Sequence, residues 1–204
     1  MTKSERMEQA YRHDLALWEQ GLVFAGIDEA GRGPLAGCVT AACVVMQKEP
    51  RLPNIYDSKH LSEKQRCEAF ERIREQALFV GVGHVEADEI DRINILEATR
   101  LAMRKAAAGA PVDTFLVDAV ADIGLSGREL PLIGGDAASY SIAAASIIAK
   151  VTRDRLMQEL DAMYPAYGFA RHKGYGTRQH MDAIRQLGPC PAHRKTFLTR
   201  ILAP

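Results

Sequence analysis

The run Val23-Phe24-Ala25-Gly26-Ile27-Asp28-Glu29-Ala30-Gly31-Arg32-Gly33 sets two adjacent carboxylates behind an apolar, strand-like segment and follows them at once with a glycine-flanked arginine. Anionic ligands and one cationic side chain meet at a single point of the chain, a combination suited to a metal ion facing a phosphate. The apolar part, Leu22 to Ile27, predicts a strand, and Cys38 to Met46, rich in valine and cysteine, predicts a second one after a short loop. So short a connection predicts an antiparallel hairpin. Within a strand, Asp28 and Glu29 point to opposite faces unless the strand ends or bulges there. A shared acidic site therefore needs carboxylates from other parts of the chain.

Two further aspartates follow apolar runs. Thr114-Phe115-Leu116-Val117 predicts a strand that delivers Asp118, and Leu130-Pro131-Leu132-Ile133 predicts a short strand that leads through Gly134-Gly135 to Asp136. Another strand is expected over Ala77 to Val85. Helices are expected over residues 1–20, Glu63 to Gln76, Ala87 to Arg92, Asn94 to Ala108, from a cap at Ser139 or Ser141 to Met163, and from a Thr177 cap to Leu187. Ser62 with Gln65 forms a capping-box pattern. The small-sided run Ile142-Ala143-Ala144-Ala145-Ser146-Ile147-Ile148-Ala149 predicts close packing on a sheet.

Burying Asp28, Glu29, Asp118 and Asp136 together is strongly unfavourable without cations, because each negative charge raises the pKa of its neighbours. Oxygen ligands without His or Cys suit hard cations, Mg²⁺ or Mn²⁺. Two such ions, roughly 3.5 to 4 Å apart, serve phosphoryl transfer.

The chain has 204 residues, 47% of them hydrophobic, enough for one substantial core. No apolar run of about 18 residues is present to span a bilayer, and the charged start lacks an apolar signal core, so the reading is a cytoplasmic protein with no membrane association. Net charge is zero, yet residues 150–204 carry ten Lys/Arg against four Asp/Glu, leaving −6 on the remainder. A basic C-terminal quarter can track a phosphate backbone. Cys38, Cys43, Cys67 and Cys190 form no C-x-x-C pair and read as thiols rather than a zinc cage or a disulfide framework.

Gly31-Arg32-Gly33-Pro34-Leu35-Ala36 matches a dinucleotide-binding fingerprint, but that motif must open a helix, and here a β-rich segment follows. His172, His180 and His193 have no defensible zinc spacing, and phosphate contact or surface exposure is the expectation for them. Ser146 and Lys150 lie one helical turn apart and can face a common phosphate, with close packing as the alternative for Ser146.

Taken together, Gly26 to Pro34, Asp57-Ser58-Lys59, Val117-Asp118, Gly135-Asp136, Ala143 to Asp154 and His172-Lys173-Gly174-Tyr175 resemble ribonuclease HII, the bacterial type-2 ribonuclease H, over about Val23 to Phe197. The resemblance implies an α/β ribonuclease H-like fold with a mixed five-stranded sheet flanked by helices. It implies one catalytic domain over 1–204, with residues 1–20 as a helical extension and 164–204 as a basic substrate-binding segment. Asp28, Glu29, Asp118 and Asp136 are its implied catalytic metal ligands. Its implied activity is cleavage of the RNA strand in RNA/DNA hybrids, and at single ribonucleotides embedded in duplex DNA, leaving 3′-hydroxyl and 5′-phosphate ends.

In that reading Gly31, Arg32 and Gly33 recognise the 2′-hydroxyl at the RNA-to-DNA junction, and Tyr175 stacks on the following deoxyribose. Ser58, Lys59, Ser146, Lys150, Arg171 and Lys173 are the remaining expected substrate contacts, positioning the backbone rather than reading bases. The protein is expected to act as a monomer. Two departures stand out: Ala119 replaces a common glycine, and Gly134 stands where many relatives have lysine before Gly135-Asp136. Asp122 and Asp154 are the alternatives to Asp136.

Overall fold

A computed structural model describes residues 2–199 and 201–202. The first residue of the expected N-terminal helix and residues 200, 203 and 204 of the expected basic C-terminal segment lie outside these described residues. In chain order the regular elements are α1 (Lys3–Glu19), β1 (Ala25–Ala30), β2 (Val39–Val45), α2 (Glu63–Gln76), β3 (Phe79–Val85), α3 (Ala87–Ile93), α4 (Ile95–Ala107), β4 (Thr114–Asp118), β5 (Arg128–Leu132), α5 (Gly135–Ala138), α6 (Tyr140–Met163), α7 (Phe169–His172) and α8 (Arg178–Leu187).

The strands form one mixed sheet in the order β3-β2-β1-β4-β5. β1 and β3 pair antiparallel to β2, while β4 runs parallel to both β1 and β5. Every residue of β2 is buried, as a strand covered on both faces must be. On one face Ala42 and Val44 meet Phe70 and Ile73 of α2 and the alanines of α6. On the other, Val39, Ala41, Cys43 and Val45 meet Ile90 of α3 and Ala102 and Met103 of α4.

Local chemistry sets the helix starts. The Ser62 hydroxyl accepts from the Gln65 amide while the Gln65 side chain accepts from the Ser62 amide, opening α2 where its capping box predicts. Asn94 accepts from the amides of Leu96 and Glu97 at the start of α4. Ser139 caps α6, and Thr177 caps α8. The small residues of α6 have a geometric cause: a Cβ added at Gly26 of β1 would lie 2.2 Å from the Ser141 carbonyl carbon. Strand and helix approach closely enough there to exclude any side chain.

Three boundaries differ from expectation. The first strand spans Ala25–Ala30 rather than Leu22–Ile27, because Leu22 closes α1 onto the Leu17 carbonyl and the pairing with β2 continues to Ala30 opposite Thr40. Asp28 and Glu29 are thus inside the ladder. The fifth strand begins at Arg128, and it tolerates Pro131 because it is an edge strand. Asp136 is not at a strand end. It sits in the first turn of the four-residue α5, after a left-handed Gly134.

Candidate active site

Side-chain alternation sorts the carboxylates. Ala25 and Ile27 face α4, so Asp28 faces α6. Val117 also faces α4, so Asp118 shares the α6 face. The parallel register runs Gly26 opposite Leu116 and Ile27 opposite Val117, and one further step sets Asp28 beside Asp118. α5 then brings in Asp136. Oxygens of Asp28, Asp118 and Asp136 all lie within 4.8 Å of one another.

Glu29 belongs to the opposite face of β1 and is not part of this group of three. It lines the same cleft, of about 230 Å³, with Asp28, Gly31, Ser58, Lys59, Asp118, Ser146, Lys150, Arg153 and Tyr175. Of the alternatives to Asp136, Asp154 is ion-paired with Lys150 at 2.7 Å and Asp122 is exposed, and neither joins the group.

The electrostatics of the group are unfavourable as it stands. Burial, then the Glu29 charge, pushes the Asp28 carboxyl well above the ordinary carboxylate range, and a Ser146 hydrogen bond offsets only part of this. Burial also raises Glu29, although Arg32 lies 3.3 Å from its Oε1. Its Oε2 is buried with no hydrogen-bond partner among the described residues. Burial raises Asp118, with the Asp136 charge adding to it, against a 2.7 Å hydrogen bond from the Gly135 amide.

The cationic help is small. Lys59 Nζ donates to Asp136 Oδ2 at 3.0 Å from an otherwise exposed side chain. Asp57 fixes that turn by accepting from the Lys59 amide. Gly134 supplies no charge here, and Lys59 is the cation that reaches Asp136. An oxygen-only donor set with one unpartnered buried oxygen fits a hard divalent cation.

The other expected contacts divide. Ser58 and Ser146 hydroxyls meet at 3.0 Å beside Asp28. A Cβ added at Gly33 would lie 4.0 Å from the Tyr175 ring, so the loop and the tyrosine are neighbours. Gly31 has φ +96°, and a Cβ there would run into Arg153 at 2.0 Å, so only glycine fits. Arg171 is exposed and bonds Gln179, and Lys173 offers its carbonyl to Arg153; neither lines the cleft.

Two kinds of residue escape a sequence reading. The first is the buried pair Arg153 and Arg194. Arg153 donates to the carbonyls of Cys38, Lys173 and Ala36, and Arg194 donates to those of Gly37, Arg32 and Gly31. Burial lowers Arg194 to about 10, which leaves it charged at neutral pH.

The second is the histidine set, which is buried rather than exposed or phosphate-facing. His172 and His180 stack at 4.3 Å. His180 Nδ1 donates to the Tyr175 carbonyl and its Nε2 meets His193 Nε2 at 3.0 Å, while His193 Nδ1 accepts from the Cys190 amide. His172 Nε2 donates to the Tyr167 carbonyl and its Nδ1 accepts from the Gly174 amide. Every ring then has one donor and one acceptor, the pattern of neutral imidazole. No spacing signal reveals such a stack, because its partners come from three separate segments.

A mixed sheet whose neighbouring strands β1 and β4, with the short helix α5, gather three buried or half-buried carboxylates beside a glycine loop and a basic rim defines a metal-dependent phosphodiester hydrolase. A family model described as Ribonuclease HII matches residues 25–201, and the chain belongs to that family. It is a metal-dependent endoribonuclease.

The chain is 48% identical to the Ribonuclease HII of Caldanaerobacter subterraneus over 97% of its length and 83% of the relative's. It is 55% identical to that of Geobacter sulfurreducens, over 85% of this chain and 81% of the relative. Among solved structures, the ribonuclease H2 of Pyrococcus horikoshii matches with TM-score 0.75 at 28% identity, over 88% of this chain and 97% of that one. The ribonuclease HII of Archaeoglobus fulgidus, solved in complex with PCNA, matches with TM-score 0.74 at 27% identity, over 85% and 94%.

Proposed function

We propose that this endoribonuclease cuts the RNA strand of RNA/DNA hybrids and cuts at single ribonucleotides embedded in duplex DNA, leaving 3′-hydroxyl and 5′-phosphate ends. The observation that carries the reading is the convergence of Asp28, Asp118 and Asp136, the first two of which line one cleft with Gly31 and Tyr175. Asp28, Glu29, Asp118 and Asp136 would hold two divalent cations, Mg²⁺ or Mn²⁺. Bound there, such ions supply charge stabilisation for the attacking and departing oxygens of an in-line displacement.

The chain's own residues orient and select. Ser146, backed by Ser58, holds the Asp28 carboxylate, and Lys59 holds Asp136. Gly31, Arg32 and Gly33 read the 2′-hydroxyl, the group that distinguishes RNA from DNA at a given sugar. Tyr175, exposed at the cleft edge and adjacent to Gly33, stacks on the next deoxyribose. Lys150, Arg171 and Lys173 contact phosphates along the track leading away from the cut.

Three labelled duplexes of one sequence test this: all-DNA, uniform RNA/DNA hybrid, and DNA with one ribonucleotide, each with and without Mg²⁺. The expected result is cleavage of the second and third, only with Mg²⁺. Intact ribonucleotide-containing duplex in every lane refutes the single-ribonucleotide assignment, and equal cutting of all-DNA refutes the sugar reading.

A further inference from the structure

A trans peptide points its C=O and its N–H in opposite directions. The carbonyls of Gly31 and Arg32 both point inward, to Arg194 Nη2 at 2.7 Å and Nη1 at 2.9 Å. The amides in those same two peptide planes are those of Arg32 and Gly33, so both are turned away from the interior. Neither donates to a protein acceptor among the described residues. They stand as a pair of adjacent donors on the outer side of the loop, and Gly33 neighbours Tyr175.

The anchor itself is rigid. Arg194 is fully buried, and its Nε is held by the Gly37 carbonyl at 3.0 Å. Arg153 grips the next layer, the carbonyls of Ala36 and Cys38, and reaches across to the Lys173 carbonyl two residues before Tyr175. The two guanidinium groups thus tie the loop, the neck of the hairpin and the tyrosine segment into one unit. A planar fork with fixed donor directions suits this task; a lysine ammonium, a point charge on a flexible stem, reaches fewer of these acceptors.

We propose that Arg194 is a positioning residue for ribose recognition: by drawing the Gly31 and Arg32 carbonyls inward it aims the Arg32 and Gly33 amides at the 2′-hydroxyl, and Arg153 fixes Tyr175 relative to them. This rests on the reading of the loop as the sugar reader given above. It assigns a role in substrate discrimination to a residue in a basic tail, 163 positions from the loop it serves.

The test measures binding by anisotropy, without metal, of wild type and Arg194→Lys to a one-ribonucleotide duplex and to the all-DNA duplex of the same sequence. Arg194→Lys is expected to lose about tenfold of the preference for the ribonucleotide, the worth of one or two hydrogen bonds, while all-DNA affinity moves less than about twofold. A merely structural role would move both affinities together.

A wild-type preference that survives in Arg194→Lys, or a parallel loss on both duplexes, overturns the positioning role and leaves the loop reading standing. Absence of any preference in the wild type removes the loop reading and this role with it. Should Arg194→Lys fail to fold, hydrogen exchange on the wild type decides: the Arg32 and Gly33 amides are expected to be protected by the one-ribonucleotide duplex more than by all-DNA. Equal protection by the two contradicts the proposal.

Discussion

Asp28 and Arg194 are both buried charges beside the same loop, and the fold treats them in opposite ways. Arg194 gives all three of its donor groups to main-chain carbonyls. Asp28 faces Asp118 and Asp136 with a serine for help, and the neighbouring Glu29 leaves an oxygen without a partner. A satisfied buried charge fixes geometry, whereas an unsatisfied one is held in place by the rest of the fold against its own preference. The contrast is the ground for proposing that the carboxylates do the chemistry and the arginines the alignment.

The largest expected effect comes from relieving the unsatisfied side. Asp28→Asn should reduce cleavage on the order of a thousandfold and yet stabilise the metal-free protein. The sign follows from linkage: a carboxyl raised in the fold keeps its proton to higher pH than in the unfolded chain, so stability falls as pH rises through that interval, and the ionised form is a net cost at neutral pH. Thermal melts in EDTA at pH 7 check this. A lower Tm for Asp28→Asn would erase the distinction between the two clusters.

Removing the satisfied charge should act the other way. Arg194→Met strands three carbonyls and should cost about 3 kcal/mol or more, read as a drop in Tm of about 6 to 12 °C. No change in Tm would mean that the arginine is not needed to hold the loop.

The histidine stack gives a slightly smaller, pH-dependent effect. Burial pushes His180 down to about 4, while in the unfolded chain an imidazole titrates near 6.5. Its stabilising contribution is therefore complete above pH 6.5 and is lost as pH falls to about 4, amounting to about 2 to 3 kcal/mol. The difference in stability between wild type and His180→Gln, followed from pH 7 to pH 4, should shrink by that amount. A difference that stays constant would show that the ring does not remain neutral in the fold.

The smallest effect concerns Ala119, which carries φ +49° directly after Asp118. An L-residue in the left-handed region costs about 1 kcal/mol that glycine avoids. Ala119→Gly should raise stability by up to about 1 kcal/mol, measured by urea denaturation, and leave the geometry of Asp118 unaltered. A destabilised variant would place the strain elsewhere.

What could be read from the sequence was what depends on neighbours in the chain. Ser62 with Gln65, Asn94 and Thr177 announce their helices because a cap reaches only two or three residues. Asp28 and Asp118 stood out because each ends an apolar run, and parallel pairing then sets them side by side. Asp136 was recognised as a carboxylate but misplaced, since a four-residue helix has too little periodicity to betray itself. The continuation of β1 through Glu29 depends on its pairing with β2, which no local pattern in residues 28–30 records. Arg153 and Arg194 looked like two more cations in a basic quarter. Their partners lie more than 100 positions away or across a tertiary contact, and nothing in their neighbours distinguishes them from surface residues.

The claim that the carboxylates do the chemistry while other groups bind and align is tested most directly by Asp118→Asn acting on a uniform RNA/DNA hybrid with Mg²⁺, with hybrid affinity measured in parallel. Cleavage is expected to fall on the order of a thousandfold while affinity stays within about threefold, less than the tenfold that 1.4 kcal/mol would produce. Cleavage that survives the substitution would place the chemistry away from Asp118, and affinity that falls along with it would make the carboxylate a binding group instead.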